Sequence, residues 1–283
     1  MKKLIKISFL IAVIGISGFV VFSNVKDFVK ADMTPNVVID PTLSSKLIIA
    51  SPDPRTTESG LVGYWTFNGP DIQGLYATAT DISGNGNNGT FGASPATGTD
   101  DPAPIAGVIG QALSFDGVND YVDAGGQSSL HNVENGNFTV EAWIYPVAHI
   151  SADGNRYVIL GFYAPGWMVD LTRNSSVESY RFYTGSATIA YSTGGLNLPL
   201  RWQHIVWTVD SSYFTFYLDG MQKMQSAKTA ITASDGENLR IGIRSDNAYS
   251  FNGLIDEVRI YNRALTAEEI MEHFSLSRRN GGI

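Results

Sequence analysis

Apolar and polar side chains alternate along many short segments of this chain from residue 60 onwards. The stretch NFTVEAWIYP (137–146) alternates over its whole length. One side carries Phe138, Val140, Ala142 and Ile144, and the other carries Thr139, Glu141, Trp143 and Tyr145. Successive side chains of a β-strand point to opposite faces of a sheet, so this period of two predicts a strand with one buried face.

Similar segments recur through the rest of the chain and predict many short strands. They lie at 61–67, twice within 111–125, and at 156–162, 166–172, 179–184, 187–191, 203–210, 213–223, 238–244 and 254–261. Asx-Gly pairs such as Asp116-Gly117 and Asp219-Gly220 are typical of tight turns between antiparallel strands. Strands do not alternate with helices, so the pattern predicts an all-β sandwich of two antiparallel sheets.

One short C-terminal helix is predicted after Thr266. Thr266 and Glu269 have the spacing of a capping box, in which each side chain bonds the backbone N–H of the other residue. Leu265 and Ile270 have the spacing of a hydrophobic staple across the same helix start. A helix of about two turns is expected to end at His273 or Phe274, which makes residues 277–283 a tail.

The first 31 residues have the pattern of an export segment. Three lysines within the first six residues precede a charge-free, mostly apolar run from Ile7 to Phe22. This predicts a signal or membrane helix over residues 4–22. Two alternatives stay open: cleavage after Ala31, or an uncleaved anchor that would be the chain's one contact with a membrane. Both predict an extracellular or cell-surface protein.

Residues 32–59 are predicted to be an extended linker. Four of them precede a proline, and a residue before proline is pushed into extended geometry. Short strands are expected within Val37–Ile39 and Leu47–Ile49. The globular domain is then expected over residues 60–276.

Composition narrows the chemistry that this chain can perform. It has no cysteine, which excludes disulfides, thiolate metal sites and thiol nucleophiles. Residues 1–31 carry five lysines and one aspartate, a net charge of +4, so the remainder of this chain of charge −8 carries −12. Such an acidic surface argues against nucleic acid or anionic lipid as a partner. It is compatible with calcium binding outside the cell.

Seven stretches of the chain together resemble one known family of domains. They are, in order, GLVGYWTFN, DISGNGNNGT, GQALSFDGVNDYV, FTVEAWIYP, RWQHIVWTVD, YLDG and FNGLIDEVRIYNRALTAEEI. Each resembles a stretch of the laminin-G-like, concanavalin A-like jelly-roll domains of bacterial secreted or surface proteins. The resemblance implies a jelly roll of two packed antiparallel sheets, a non-catalytic module for carbohydrate or protein ligands, and a structural calcium ion.

Asp256 is an acidic residue at a position where the strand pattern predicts a buried side chain. By alternation it shares a face with Val258 and Ile260, which are expected to face the core, and a buried carboxylate is costly unless it is paired. The resemblance implies that Asp256 binds calcium, with Asn68 and Asp116 as candidate partners. The alternative is that Asp256 accepts backbone N–H bonds and anchors a turn. For Asp116, a role in the Asp-Gly turn is favoured.

The positions of the carboxylates in the sequence separate three possible functions of the domain. A jelly-roll glycoside hydrolase needs two carboxylates that face each other across the sugar. Glu141 has no acidic neighbour on its strand, and Asp256 and Glu257 are adjacent and face opposite sides. An enzyme is therefore not expected, which leaves a purely structural surface protein or a binding and adhesion module. The binding module is the favoured hypothesis.

A carbohydrate-binding face would place several aromatic rings side by side on one surface. Trp167, Tyr163, Tyr183 and Tyr191 lie in the central strands and loops and are the predicted ligand-binding residues. The partner is expected to be a carbohydrate or a cell-surface protein. The alternative is that each of these rings fills the core or covers a sheet.

Overall fold

The structure is a computed structural model. It describes residues 37–38, 48–49, 58–73, 78–93, 98–162, 166–192, 194, 197–233 and 236–281. The chain divides into two units, Met1–Glu58 and Ser59–Ile283. In the first unit, β1 (Val37–Val38) pairs antiparallel with β2 (Ile48–Ile49), within the two segments where short strands are predicted.

The predicted export segment, residues 1–31, lies outside the described residues. Within the part of the chain that the structure describes, no helix has the length and apolar character needed to cross a membrane.

The second unit is built almost entirely from strands. They are β3 (Leu61–Trp65), β4 (Ile72–Gln73), β5 (Thr78–Ala79), β6 (Gly89–Phe91), β7 (Ala103–Ala106), β8 (Gln111–Asp116), β9 (Val122–Gly125), β10 (Phe138–Pro146), β11 (Arg156–Gly161), β12 (Met168–Asn174), β13 (Val177–Tyr183), β14 (Thr188–Tyr191), β15 (Gln203–Val209), β16 (Tyr213–Leu218), β17 (Met221–Ala227), β18 (Leu239–Ile241) and β19 (Asn252–Tyr261). The helices are α1 (Ser128–His131) and α2 (Ala267–Gly281), with 3-10 turns at Gly69–Asp71 and Asn132–Asn135.

These strands form two antiparallel sheets. Sheet I has the order β17-β16-β15-β10-β19-β8-β7, and β3 also pairs with β19. Sheet II has the order β14-β13-β12-β11-β18-β9-β6-β5-β4. The predicted all-β, two-sheet jelly-roll sandwich is confirmed.

One hydrophobic core lies between the two sheets and is rich in aromatic rings. Trp207 of sheet I packs against Phe182 of sheet II with ring centroids 5.7 Å apart. Phe138 of sheet I packs against Trp167, which precedes β12, at 5.5 Å. The apolar side of β10 predicted from the sequence faces this core. The other side of β10 is therefore free to meet helix α2 on the outer face of sheet I.

The predicted alternation fails at one point in β19. Glu257 has a positive φ of 52°, and the register of β19 against β10 shifts here. Such a bulge adds one residue to a strand and changes which side chains share a face. As a result Ile255, Val258 and Ile260 face the core. The expectation that Asp256 shares their face is wrong, because the bulge turns Asp256 to the outer face of sheet I.

The start of helix α2 is as predicted. Glu269 Oε2 accepts a hydrogen bond from the Thr266 N–H at 2.8 Å, and Thr266 Oγ1 accepts one from the Glu269 N–H at 3.3 Å. Leu265 and Ile270 are both buried in an apolar cluster on the outer face of sheet I. The capping box and the staple therefore fix where the helix begins.

The end of α2 differs from the prediction. The helix has 15 residues and continues to Gly281, so residues 277–281 belong to it and not to a tail. No glycine or proline interrupts the chain between Phe274 and Gly281. Arg278 and Arg279 lie in the last turn, where cations interact favourably with the helix dipole. The lack of a helix breaker and the two arginines at the C-terminus together favour a helix that continues beyond the residues packed on the sheet.

Candidate functional site

A cleft lies beside α2 on the outer face of sheet I, and we call it the aromatic cleft. Its lining residues come from β10, from the segment before β15, from the turn after β16 and from α2: Trp143, Tyr145, Arg201, Trp202, Asp219, Phe274 and Arg278. Its volume of about 490 Å³ lies within the range of pockets that bind small molecules.

Two aromatic pairs build the walls of the cleft. Trp143 is buried and stacks on Phe274 of α2, with ring centroids 5.7 Å apart and an interplanar angle of 15°. Tyr145 meets Trp202 edge to face at 5.8 Å and 82°. Tyr145 and Trp202 are each half-buried. They therefore present ring surface to whatever enters the cleft.

An ion pair holds the third side of the cleft. Asp219 lies in the tight turn between β16 and β17 with a φ of 53°. Its Oδ1 accepts the backbone N–H of His204 at 3.0 Å, and its Oδ2 accepts Nη2 of Arg201 at 2.7 Å. Arg201 Nη1 also donates to the carbonyl oxygen of Trp202 at 2.7 Å. These bonds orient a guanidinium whose side chain is 53% exposed.

A buried network of charges anchors α2 beside the cleft. Glu141 of β10 accepts hydrogen bonds from Arg259 of β19 and from Nδ1 of His273 on α2, the latter at 2.9 Å. Arg259 also donates to Glu257 at 2.7 Å and to the Tyr64 hydroxyl at 2.5 Å. Each buried carboxylate thus has a cationic or hydrogen-bonding partner, as burial of charge requires.

This environment shifts the protonation of its members. Burial alone would raise the pKa of Glu141, but the neighbouring His273 and Arg259 outweigh burial and hold that pKa well below its usual range. Burial lowers the pKa of His204 to about 4, although the nearby Glu141 acts in the opposite direction. At neutral pH, Glu141 is therefore ionised and His204 is neutral.

Three of the four aromatic residues predicted to bind ligand are described by the structure, and these three do not line the cleft. Trp167 is 0% exposed and stacks on Phe182 at 6.0 Å, so its ring fills the core and is not available at a surface. Tyr183 and Tyr191 lie on sheet II and are half-buried. Tyr163 lies outside the described residues. The prediction for Trp167 is corrected, because its place before β12 directs it inward.

Sequence reasoning did not identify the residues of the aromatic cleft, although one signal for them was present. Trp143 and Tyr145 fall on the side of β10 that also carries Thr139 and Glu141. Two large aromatic rings on the polar side of a strand indicate that another element or a ligand covers that side. Helix α2 and the cleft are what cover it.

The carboxylate of Asp256 is buried on the outer face of sheet I, under the turn at residues 107–111. Its Oδ2 accepts the backbone N–H groups of Val108 and Ile109 at 2.8 and 3.2 Å. Its Oδ1 is buried and has no hydrogen-bond partner among the described residues. Burial and the nearby Glu257 raise the pKa of Asp256 well above its usual range. The two N–H groups on Oδ2 are hydrogen bonds of the kind predicted as the alternative role of Asp256.

Asn68 reaches the same turn from the end of β3. Its Oδ1 accepts the Gln111 N–H at 2.8 Å. A Cβ on Gly110 would lie 2.0 Å from that oxygen, and one on Gly107 would lie 2.5 Å from Asp256 Oδ2. Because Gly107 and Gly110 have no Cβ, the side chains of Asp256 and Asn68 can both approach the backbone of this turn.

Asp116 does not join this group. It pairs with Asn252, four residues before Asp256 on β19, and its Oδ1 accepts the Val118 N–H at 2.7 Å within its own turn. Across the described residues, no three His, Asp or Glu side chains cluster as metal ligands. A cation bound near Asp256 would need Asn68 and backbone carbonyl oxygens, which are ligand types that calcium accepts.

Comparison with known proteins identifies the family. Residues 116–271 match the laminin G model of the concanavalin A-like lectin/glucanases superfamily, which is more than half of the chain. The chain belongs to this superfamily. The matched region runs from the end of β8 into α2 and so includes the residues that line the aromatic cleft on β10 and on the turn after β16.

Individual relatives are distant. The adhesion G-protein coupled receptor V1 of Danio rerio is 28% identical over 149 residues, which are 48% of this chain and 2% of that receptor. The chain therefore spans a small part of the curated relatives that it matches.

Two solved structures share the fold. Domain 4 of AbnA, a GH43 extracellular arabinanase from Geobacillus stearothermophilus in complex with arabinotriose, is 22% identical with a TM-score of 0.56 and covers 76% of this chain and 98% of that domain. A Trypanosoma rangeli sialidase is 20% identical with a TM-score of 0.56, over 81% of this chain and 34% of that enzyme. At these identities the likeness concerns the fold.

Proposed function

We propose that this protein is an exported, non-catalytic module that binds carbohydrate in the aromatic cleft. The observation that carries the proposal is the cleft itself, in which Tyr145, Trp202, Trp143 and Phe274 present or support ring surface beside a fixed guanidinium. Rings of Tyr and Trp combine apolar area with a polar edge, which suits ligands that have both kinds of surface. The complex of the AbnA domain with arabinotriose supports a carbohydrate as the ligand class.

The carboxylates at the cleft do not suit glycoside hydrolysis. Among the described residues that line it, Asp219 is the one carboxylate, and both of its oxygens accept hydrogen bonds within the protein. Glu141 is buried beneath α2 and paired with Arg259 and His273. Glycoside hydrolysis needs an acid with a raised pKa and a second carboxylate across the sugar. The lowered pKa of Glu141 opposes a role as that acid.

Calcium is proposed as a structural ion at the turn over Asp256. The fit rests on Asp256 Oδ1, a buried oxygen without a hydrogen bond, and on Asn68 Oδ1 at the other side of the same turn. Asp256, Asn68 and backbone carbonyl oxygens of residues 107–111 would hold the ion. It would supply the positive charge that favours the ionised form of Asp256, and it would tie β19 to the end of β3.

Location outside the cytoplasm is proposed on the basic and apolar pattern of residues 1–31 and on the acidic remainder of the chain. The match to an adhesion receptor and to an extracellular arabinanase supports the same location. A carbohydrate outside the cell, or on its surface, is the corresponding partner.

A glycan array probed with the full-length protein tests the proposed function. Trp202→Ala removes the most exposed indole of the cleft, and it should weaken binding to any recognised glycan by about tenfold or more, as expected for a loss of about 1.4 kcal/mol or more at a central aromatic contact. Tyr213→Ala is the matched control, because Tyr213 is 43% exposed at the start of β16 and does not line the cleft.

Glycan binding by the two variants distinguishes a carbohydrate site from the other possible functions. Loss of glycan binding in Trp202→Ala with normal binding in Tyr213→Ala supports the proposal. If no glycan binds, or if both variants bind as the wild type does, the aromatic cleft is not a carbohydrate site. A protein partner or a purely structural role would then replace it.

A further inference from the structure

We infer that the aromatic cleft selects sugars that carry a carboxylate group. The inference rests on the proposed function, since it assumes that a saccharide enters the cleft, and it adds the chemical class of that saccharide. Its basis is the balance of hydrogen-bond donors and acceptors that the lining residues offer.

The carboxylate in the cleft accepts two hydrogen bonds from the protein, so about two of its four lone-pair sites remain, on a side chain that is mostly shielded. Asp219 is the carboxylate among the described lining residues, and its side chain is 19% exposed. One oxygen accepts the His204 N–H at 3.0 Å and the other accepts Arg201 Nη2 at 2.7 Å. A neutral sugar binds through hydroxyl groups that donate as well as accept, so it gains most from a site with open acceptors. This cleft offers few of them.

Arg201 provides the donors. A guanidinium has five N–H groups, and Arg201 uses one for Asp219 and one for the Trp202 carbonyl. Three N–H groups of a 53% exposed side chain remain for a ligand. Because Asp219 and Trp202 fix the orientation of this guanidinium, less side-chain freedom is lost when it binds an anion.

Arg278 brings a second guanidinium to the same cleft from α2. Its side chain lies over Phe274, with the guanidinium carbon 5.7 Å from the ring centroid. The charged lining residues are two guanidinium groups, of Arg201 and Arg278, and the carboxylate of Asp219, in a chain whose net charge is −8. The aromatic cleft therefore gathers guanidinium groups on an acidic protein, and a carboxylate is a group that guanidinium donors bind through paired, charge-assisted hydrogen bonds.

The rings favour a sugar over an acidic peptide as the carrier of that carboxylate. Tyr145 and Trp202 meet edge to face, so their exposed surfaces form a corner in which the C–H groups of a rigid pyranose chair can pack. A volume of about 490 Å³ is that of a small-molecule pocket and not of an extended groove. An acidic peptide would have to fix several flexible side chains to use the same site.

The test compares ligands that differ only in charge. Oligosaccharides ending in galacturonate, glucuronate or sialate are each titrated against the full-length protein beside their neutral methyl esters, by calorimetry at low salt. At least one acid should bind about tenfold or more tightly than its ester, which corresponds to one charge-assisted hydrogen bond. Raising the salt to about 0.5 M should reduce the ratio, because ions screen the attraction.

Two variants assign the preference to the cleft. Arg201→Gln and Arg278→Gln should each bring the acid-to-ester ratio close to one while ester binding persists. Arg244→Gln is the control, since Arg244 pairs with Asp246 and lies outside the cleft. Circular dichroism and melting temperature verify that each variant is folded, and Arg278 is exposed, so its replacement does not depend on a buried contact.

Each outcome decides between the inference and its alternatives. If every ester binds as tightly as its acid, the carboxylate inference fails while the proposed function stands. If the acid preference survives in Arg201→Gln and Arg278→Gln, the inference also fails, because another site holds the carboxylate. If triglutamate binds as tightly as the acidic sugars, the ligand class is a peptide. If nothing on the panel or on the glycan array binds, the proposed function itself is lost.

Discussion

Replacing Asp256 by asparagine keeps the shape of the side chain and removes the charge that a calcium ion needs. In the native protein Oδ2 accepts two backbone N–H groups and Oδ1 accepts none. An asparagine oxygen could still accept the N–H groups of Val108 and Ile109. The substitution therefore separates the two roles of this residue, since it preserves the hydrogen bonds and removes the ligand charge.

The expected size of the effect follows from binding to the folded state alone. Calcium at a hundredfold excess over its Kd adds about 2.7 kcal/mol to the free energy of unfolding. For a folded unit spanning Ser59–Ile283, each kcal/mol shifts the melting temperature by roughly 2–4 °C. Removing calcium should therefore lower the melting temperature of the wild-type protein by about 5–11 °C. Asp256→Asn should show little of that dependence.

Scanning calorimetry with saturating calcium and in calcium-free buffer measures this difference. Asp116→Asn is the matched control, because Asp116 lies at the end of β8, serves its own turn and pairs with Asn252, four residues before Asp256 on β19. It should keep the calcium dependence of the wild type. A wild-type melting temperature that is indifferent to calcium would refute the ion. Equal destabilisation of Asp256→Asn with and without calcium would leave hydrogen bonding as the role of Asp256.

The pH dependence of the same protein gives an independent check. In calcium-free buffer, burial and Glu257 raise the pKa of Asp256 above its unfolded value of about 3.9. Between these two pKa values the native state binds more protons than the unfolded state, so this residue makes stability fall as pH rises above about 4. Saturating calcium favours the ionised form and should remove the part of that fall that Asp256 causes, while the part caused by Asp120, whose pKa burial raises to about 6, remains. Asp256→Asn should remove the same part without calcium.

Two further predictions concern other residues. Burial lowers the pKa of His204 from 6.5 to about 4, so the unfolded state binds more protons between these values. With saturating calcium, the stability of the wild type relative to His204→Phe should therefore fall by about 3 kcal/mol as pH drops from 6.5 to 4. Chemical denaturation of both proteins measures this difference, and identical pH profiles would contradict the reasoning. Gly110→Ala should cost about 2 kcal/mol or more, because Gly110 has a φ of 65° and a Cβ there would lie 2.0 Å from Asn68 Oδ1. Gly136→Ala is the control, because a Cβ on Gly136 would meet no atom within 4 Å, and its free energy of unfolding should stay within about 0.5 kcal/mol of the wild type. Equal losses of stability in the two variants would contradict the role of Gly110 in this turn.

The sandwich could be predicted because its signals are local. Strand alternation, Asx-Gly turns and the capping box at Thr266 each depend on residues close together in the chain, and each has its counterpart in the structure. The bulge in β19 could not be predicted in the same way. Its positive φ falls on Glu257, which is neither glycine nor asparagine, so nothing in the local sequence marks it.

The aromatic cleft could not be predicted because it depends on distant segments. Trp143, Trp202 and Phe274 come from three parts of the chain, and only the docking of α2 brings Phe274 onto Trp143. The sequence instead directed attention to Trp167, whose burial depends on how the two sheets pack. A single aromatic residue in a strand does not reveal which sheet face it occupies until the partner strands are known.

The stability of the sandwich and the shape of the cleft are linked through Glu141. Its strand, β10, supplies Trp143 and Tyr145 to the cleft, while Glu141 itself holds His273 of α2 on the outer face of sheet I. Phe274, the next residue of that helix, forms the facing wall. Desolvating this carboxylate is unfavourable unless its partners stay in place. The same requirement that keeps Glu141 paired therefore keeps the wall of the aromatic cleft in position.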